Sequence, residues 1–445
     1  MSFTSLGLPP WMAECLKNIA ITKPSAIQEA CIPPILDGRD CIGGAKTGSG
    51  KTIAFAAPMI AKWAEDPFGI CGVVLTPTRE LAIQIADQFA ALGSGVGIKT
   101  CVVIGGVEMT KQSRDLKEKP HFVIATPGRL ADEIRSNGEE ILPGLRRAKF
   151  LVLDEADRLL SSSMADDLAT CIGALAPPEK RQTLLFTATV TDSVRALKNQ
   201  APKAGKKPVF VHEVASDEVA IPATLTQSYL FIPSYVRDAY LYSILTHEDN
   251  TSKSAIVFVN RTATAEQVRR TLEKMEIKTV SLHSEMPQRE RINALAKFRA
   301  EVARVLVATD VASRGLDIPV VEMVINFEIP ADPDDYVHRV GRTARAGRRG
   351  ESISLVSEQD VTLIQGIEER VGQKMEQYGK IDDDDVVNNT LRPVSMAKRE
   401  AIMDMDRDGF GELRKTREKK RRLKEAASAA VKNEKKKHRK KKGSS

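Results

Sequence analysis

The chain runs to 445 residues, 42% of them hydrophobic and 28% charged, which allows two or three domains with real cores and is ordinary for a soluble globular protein. Aromatic residues make up only 5%, too few for a surface built of many base-stacking platforms. The net charge of +7 is unevenly spread: residues 412–445 carry sixteen Lys and Arg against four Glu, so the remainder is mildly acidic and can hold nucleic acid only through placed residues.

The N-terminus, MSFTSLGLPPW, has neither the basic region nor the long apolar stretch of a secretory leader. No apolar run reaches the roughly 18 residues needed to cross a bilayer, and no membrane association is expected. The six cysteines fall in the first half without a C-x-x-C pair. They read as reduced thiols of a cytosolic or nuclear protein rather than a disulfide or zinc framework.

Between about residues 39 and 211, short apolar runs alternate with amphipathic stretches. Runs at 41–43, 71–75, 101–104, 122–125, 150–153 and 183–186 predict strands of a parallel sheet covered on both faces. Charges, Ala and Pro222 across 213–224 read as an interdomain linker. The alternation resumes with strands predicted at 255–259, 279–282, 305–308, 323–327 and 352–356. The expected class is therefore α/β, with one parallel-sheet fold used twice, over 1–212 and 225–378. Asp382 to Asp385 then open an acidic and polar extension, 379–411. The basic tail 412–445 lacks a sustained apolar stripe and reads as solvated and disordered when free.

Three motifs carry chemistry. Ala45-Lys46-Thr47-Gly48-Ser49-Gly50-Lys51-Thr52 follows the first strand. Its glycines let successive N–H groups turn toward phosphate oxygens at the positive end of the next helix. Lys51 is placed to reach the β and γ phosphates of ATP, and Thr52 to ligate Mg²⁺. By itself the segment could be a flexible Gly/Ser turn, and Ala45 stands where the strict pattern has Gly. The strand 150–153 then ends in Asp154-Glu155-Ala156-Asp157, about 100 residues on. Asp154 is a candidate Mg²⁺ ligand, and Glu155 a candidate general base for the attacking water. Lastly, His338-Arg339-Val340-Gly341-Arg342-Thr343-Ala344-Arg345 sets Arg342 and Arg345 three apart, on one face of a helix or turn. Such cations stabilise charge on a γ-phosphate, or else form a surface basic patch.

Together these motifs resemble the DEAD-box helicase family, whose namesake tetrapeptide is residues 154–157 here. The resemblance covers nearly all of 1–375. It implies two RecA-like domains, an ATP site in the cleft between them, and single-stranded RNA lying across both. Lys23-Pro24-Ser25-Ala26-Ile27-Gln28 is similar to the family's adenine-reading element. Gln28 is then expected to bond the adenine edge, Phe3 to stack on the base, and Lys23 to border the nucleotide. Thr78, Arg79, Gly106, Thr126 and Arg129 match RNA-facing elements of the first domain; Gln288, Arg291 and Thr309 match those of the second. Gly315 and Asp317 match positions at the nucleotide, and Arg314 one that orients the acidic motif. Thr187-Ala188-Thr189 stands where the family has Ser-Ala-Thr. Thr187 and Thr189 are expected to couple the two sites with Asp157 and His338. Ala344 replaces a commoner Gly.

Local wording, including Gly38-Arg39-Asp40-Cys41, DEADRLL and RTARAGR, is most similar to a nucleolar subgroup acting on precursors of small-subunit ribosomal RNA. The expectation is an ATP- and Mg²⁺-using RNA helicase of ribosome biogenesis. It would be monomeric, nuclear and nucleolar, with a possible protein activator and with RNA single strands and short duplexes as partners. A scaffold with a decayed ATP site, a DNA helicase and an RNA clamp that seldom unwinds are the competing readings. The tail is an RNA tether, a nuclear address or a solubilising segment.

Overall fold

A computed structural model describes residues 1–45, 48–187, 206–212, 221, 224–310, 318, 320–344 and 349–411. The basic tail and nearly all of the predicted linker lie outside these residues. The chain forms two compact units, the first covering Met1–Ala220 and the second most of the chain from Ile221 onward.

The first unit's strands are β1 (Cys41–Gly44), β2 (Gly72–Leu75), β3 (Thr100–Val103), β4 (Phe122–Ala125), β5 (Phe150–Asp154), β6 (Gln182–Thr187) and β7 (Phe210–His212). Among the described residues they make a seven-stranded sheet in the order β3-β4-β2-β5-β6-β1-β7, with every pairing parallel. A strand sends successive side chains to opposite faces, so a sheet covered by helices on both sides needs continuous apolar runs. Val74, Phe122, Ile124 and Val152 accordingly fill one core, while Val73, Val123, Leu151 and Leu153 fill the other. Each such side chain contributes roughly 1.5–3 kcal/mol on full burial.

The second unit contains β8 (Leu225–Phe231), β9 (Ala255–Val259), β10 (Thr279–Leu282), β11 (Val305–Thr309), β12 (Met323–Asn326), β13 (Gly350–Val356) and β14 (Glu376–Gln377). Their order is β10-β11-β9-β12-β13-β8-β14, again with parallel pairings. Strand for strand this repeats the order of the first sheet, so the expected RecA-like fold is used twice. The strands β7, β8 and β14 lack a continuous apolar run. They sit toward one edge of their sheets, where burial is incomplete.

The polar extension is folded. Leu391–Arg407 is a helix that buries Val394, Ala397 and Ala401. Lys398 reaches Asp238 at 2.6 Å, and Lys274 pairs with Asp404 at 2.9 Å. All six cysteines are free, five of them buried. Among the described residues no helix is long and apolar enough to cross a membrane.

Candidate functional site

In the first unit the motif residues from Ala45 onward gather at the carboxyl ends of the strands, the rim where parallel sheets bind ligands. The rim divides. The strands β5, β6 and β1 are neighbours and carry the phosphate-loop and acidic motifs; β3, β4 and β2 are neighbours and carry the expected RNA elements.

On the phosphate side, Ala45 N–H donates to the Thr187 carbonyl at 3.0 Å, which ties the start of the loop to the end of β6. Lys46 and Thr47, the latter an expected nucleotide contact, lie outside the described residues. Gly48 and Gly50 take φ of +82° and +89°. Only glycine fits at Gly50, because a Cβ there would also come within 2.3 Å of Gln28 Nε2. The helix Lys51–Glu65 begins at once, presenting its positive end to the loop. Lys51 Nζ donates to the Ala45 carbonyl at 2.7 Å and so reaches back across the turn. The Ser49 hydroxyl oxygen is buried with no hydrogen-bond partner among the described residues, an open position for a phosphate oxygen.

Gln28 clasps this loop. Its Oε1 accepts from Ser25 N–H at 2.9 Å, and its Nε2 donates to the Gly50 carbonyl at 3.1 Å. Ser25 Oγ donates to the Ser49 carbonyl at 2.7 Å. The primary amide keeps one further donor and one acceptor site, the pair that adenine reading needs. Lys23 is exposed, whereas Phe3 is only 3% exposed and packs in the core.

Asp154 ends β5 at 3% exposure. Burial pushes its pKa up to about 7; Lys51 opposes the rise and the Glu155 charge adds to it. One buried carboxylate and the Thr52 hydroxyl make a hard-oxygen donor set. That set suits Mg²⁺, which takes few protein ligands and completes its shell with water and phosphate. Glu155 has φ +52° and ψ 52°, a left-handed backbone that is costly for a non-glycine residue and concentrates at functional positions. Its N–H donates to Asp154 Oδ1 at 3.1 Å. Thr187 Oγ1 donates to Asp157 Oδ1 at 2.8 Å, so the Ser-to-Thr exchange retains a hydroxyl bond to the acidic motif. Thr189 is outside the described residues.

On the other half of the rim, Thr78 caps the helix Arg79–Gly93. The Arg79 guanidinium lies so close to Gly105 that a Cβ there would meet it at 2.8 Å. Gly106 is exposed with φ +82°. Thr126 precedes the helix Pro127–Leu145. Arg129 donates to the carbonyls of Ile104 and Val107, both at 3.2 Å. Sequence reasoning missed Gln112, which is buried and bonds both the N–H and the carbonyl of Ile104, at 2.9 and 3.0 Å. A glutamine on a polar helix carries no motif signal. Here it closes the Ile104 backbone as a neighbouring strand would and fixes the glycine loop.

In the second unit Gln288 and Arg291 occupy the first turn of the helix Gln288–Arg299, at 7% and 4% exposure. Thr309 ends β11. Arg314, Gly315, Asp317 and Arg345 lie outside the described residues. His338 sits half-buried on the helix Pro333–Val340, and Arg342 is buried just after it. Ala344 adopts φ +54°, which gives the physical reason for a commoner glycine there, since an L-residue in this region costs about 1–2 kcal/mol.

Arg339, for which sequence reasoning found no role, is the largest fully buried side chain among the described residues. It binds Asp310 through Nε and NH2, both at 2.6 Å. It also donates to the Glu328 carbonyl at 2.6 Å and to Asn260 Oδ1 at 2.7 Å. One guanidinium thus joins the helix bearing His338 to the end of β11 bearing Thr309.

Residues 25–197 match the DEAD/DEAH box helicase family, and residues 237–347 match the helicase conserved C-terminal domain. ATP-dependent RNA helicase DBP8 of Yarrowia lipolytica is 66% identical over 420 residues, 94% of each chain. The structure of S. cerevisiae Dbp5 bound to RNA and ADP BeF3 is similar with a TM-score of 0.73 and 28% identity, covering 89% of this chain and 99% of that one. A form of Mss116p bound to single-stranded RNA and AMP-PNP is similar at 0.78 and 26%, covering 88% and 81%.

Proposed function

We propose that this chain, which belongs to the DEAD/DEAH box helicase family and is an ATP-dependent RNA helicase, acts on precursor ribosomal RNA of the small subunit in the nucleolus. The divided rim of the first sheet carries the mechanistic reading. Nucleotide residues and RNA residues share one rigid sheet, so ligands on the two halves influence one another across β5 and β2. ATP and RNA then bind cooperatively because both favour the same state. RNA is gripped by its backbone through Arg79, Arg129, Gly106 and, in the second unit, Gln288, Arg291 and Thr309, with little sequence preference. ATP binding drives local duplex opening or ribonucleoprotein remodelling, and hydrolysis resets the protein.

Within the ATP site Lys51 binds the β and γ phosphates. Glu155 takes the proton of the attacking water, and Arg342 with Arg345 meets the charge that develops on the transferred phosphoryl group. Thr52 and Asp154 would hold Mg²⁺, which when bound would neutralise phosphate charge. Asp154 must be ionised for that task, yet burial raises its pKa to about 7. Below neutral pH, binding of Mg·ATP therefore expels a proton, and affinity weakens as pH falls. Calorimetry at pH 6 in two buffers of different ionisation enthalpy should show release of about one proton, lost in Asp154→Asn. Equal proton release in that variant would show that the proton does not come from Asp154 and would overturn the raised pKa as the source of the pH dependence.

The nucleolar assignment is supported by the subgroup wording of the sequence and by the basic tail, which suits an address or an RNA tether. A monomer assisted by a protein activator completes the reading. Crosslinking of the tagged protein to RNA in growing cells tests it. Small-subunit precursor sequences should dominate the recovered RNA, and a profile no richer in them than that of an unrelated RNA-binding protein would overturn the proposal.

A further inference from the structure

The folded C-terminal extension ends beside an expected RNA element. After the helix Leu391–Arg407, Gly409 turns left-handed with φ +65°. Its N–H donates to the Asp406 carbonyl at 3.1 Å, and Phe410 N–H donates to the Met405 carbonyl at 2.9 Å. These two bonds are a Schellman ending, which folds the next residue back onto the body. Phe410 accordingly meets His283 edge-on, with ring centroids 5.8 Å apart and planes at 84°. Arg270 locks the same corner. Its Nε donates to Glu266 Oε1 and its NH1 to Asp408 Oδ2, both at 2.7 Å.

His283 is the first residue after β10, 2% exposed, and neither ring nitrogen has a hydrogen-bond partner among the described residues. Its Nε2 lies 3.7 Å from Glu266 Oε2. The imidazole is therefore held by packing and by one neighbouring carboxylate, with Phe410 against the ring. The His283 carbonyl accepts from Met286 N–H at 3.3 Å. Thr262 Oγ1 donates to Glu285 Oε1 at 2.8 Å, which fixes the other side of the turn. Gln288 and Arg291 follow directly on the next helix.

We propose that Phe410 and His283 are a positioning pair for RNA binding: together they hold the turn 283–287, and with it Gln288 and Arg291, in the arrangement that grips the strand. The inference rests on the RNA role given above to those two residues. It also places the attachment of the basic tail, which follows Gly411 in the sequence, next to that grip. The helix Leu391–Arg407 and its turn thereby join the RNA machinery.

The test titrates single-stranded RNA against ATPase activity at saturating ATP, using the full chain. Phe410→Ala should raise the half-saturating RNA concentration about fivefold to tenfold, the size expected for one aromatic pair. Turnover at saturating RNA and the KM for ATP should be unchanged, a split that general destabilisation would not give. Phe410→Tyr should restore wild-type behaviour, and Phe410→Leu serves if the alanine variant misfolds. His283→Ala should act similarly, and the double variant should be no worse than either single one. A shift under twofold, additive effects, or a fall in turnover without a shift would each overturn the pair. Arg291→Ala separates the two claims: no effect there removes the RNA role of Arg291, whereas a clear effect alongside a silent Phe410→Ala removes only the positioning pair.

Discussion

Glu155→Gln is expected to lower turnover of RNA-stimulated ATP hydrolysis by roughly 10²–10⁴-fold, the usual contribution of a positioned general base, while ATP and RNA stay bound. The exchange keeps the shape of the side chain and removes its basicity. The left-handed backbone at this position, φ +52°, suits glutamine no worse than glutamate. The N–H bond from residue 155 to Asp154 Oδ1 comes from the main chain and survives. Removing the Glu155 charge also withdraws one of the influences that raise the Asp154 pKa. The carboxylate expected to hold Mg²⁺ is thus more readily ionised in the variant. Binding and catalysis should separate: phosphate release falls, and labelled RNA dissociates more slowly in ATP than from the wild type. Turnover within tenfold of wild type would remove Glu155 from its role as base. Loss of RNA binding together with turnover would instead point to damage of the fold.

Much of this arrangement was legible in the sequence because parallel sheets covered on both faces need unbroken apolar runs. Runs such as 150–153 and 255–259 in the sequence became β5 and β9 almost residue for residue. The phosphate loop was legible because few residue types satisfy its geometry, and Gly50 shows why. Three features were not legible, for different reasons. Gln112 acts through its amide on a backbone eight residues away, and nothing in its neighbourhood marks that use. The helix Leu391–Arg407 buries Val394, Ala397 and Ala401, a narrow stripe of mostly small residues. Long-range ion pairs such as Lys398 with Asp238 reinforce it, and pattern reading cannot see them. Phe410 stands alone in the sequence at the edge of a charged tail, and only the turn at Gly409 brings it to His283. Gln28 was assigned from resemblance to the adenine. The structure shows that its amide holds the loop, so an adenine bound at Gln28 would be felt directly by the loop expected to hold phosphate.

Arg339→Ala is expected to destabilise the second unit by about 3–5 kcal/mol, the cost of breaking a buried ion pair by removing one partner. Arg339 is 1% exposed and the Asp310 side chain 18%. The substitution leaves a carboxylate oxygen pair, the Glu328 carbonyl and Asn260 Oδ1 without this donor, around a guanidinium site that is itself buried although Asp310 and Glu328 are partly exposed and Asn260 is exposed. It also opens a cavity beneath the helix Pro333–Val340, beside the Phe258 ring over which the guanidinium lies at 5.2 Å. Arg339→Lys should rescue little, because a single ammonium cannot reproduce a planar fork that serves a bidentate carboxylate and two further acceptors. For a unit of this size the melting temperature should fall by roughly 10 °C, seen in calorimetry as a shift of the second unit's transition with that of the first unchanged. Function should fail on both ligands at once. The helix carrying His338 and the adjoining Arg342 loses its tie to the end of β11, where Thr309 sits beside Asp310, so RNA affinity and RNA-stimulated turnover decline together. If the variant melts like the wild type, the guanidinium is not the strut that these four bonds describe, and the helix Pro333–Val340 and the end of β11 are held in place by the backbone alone.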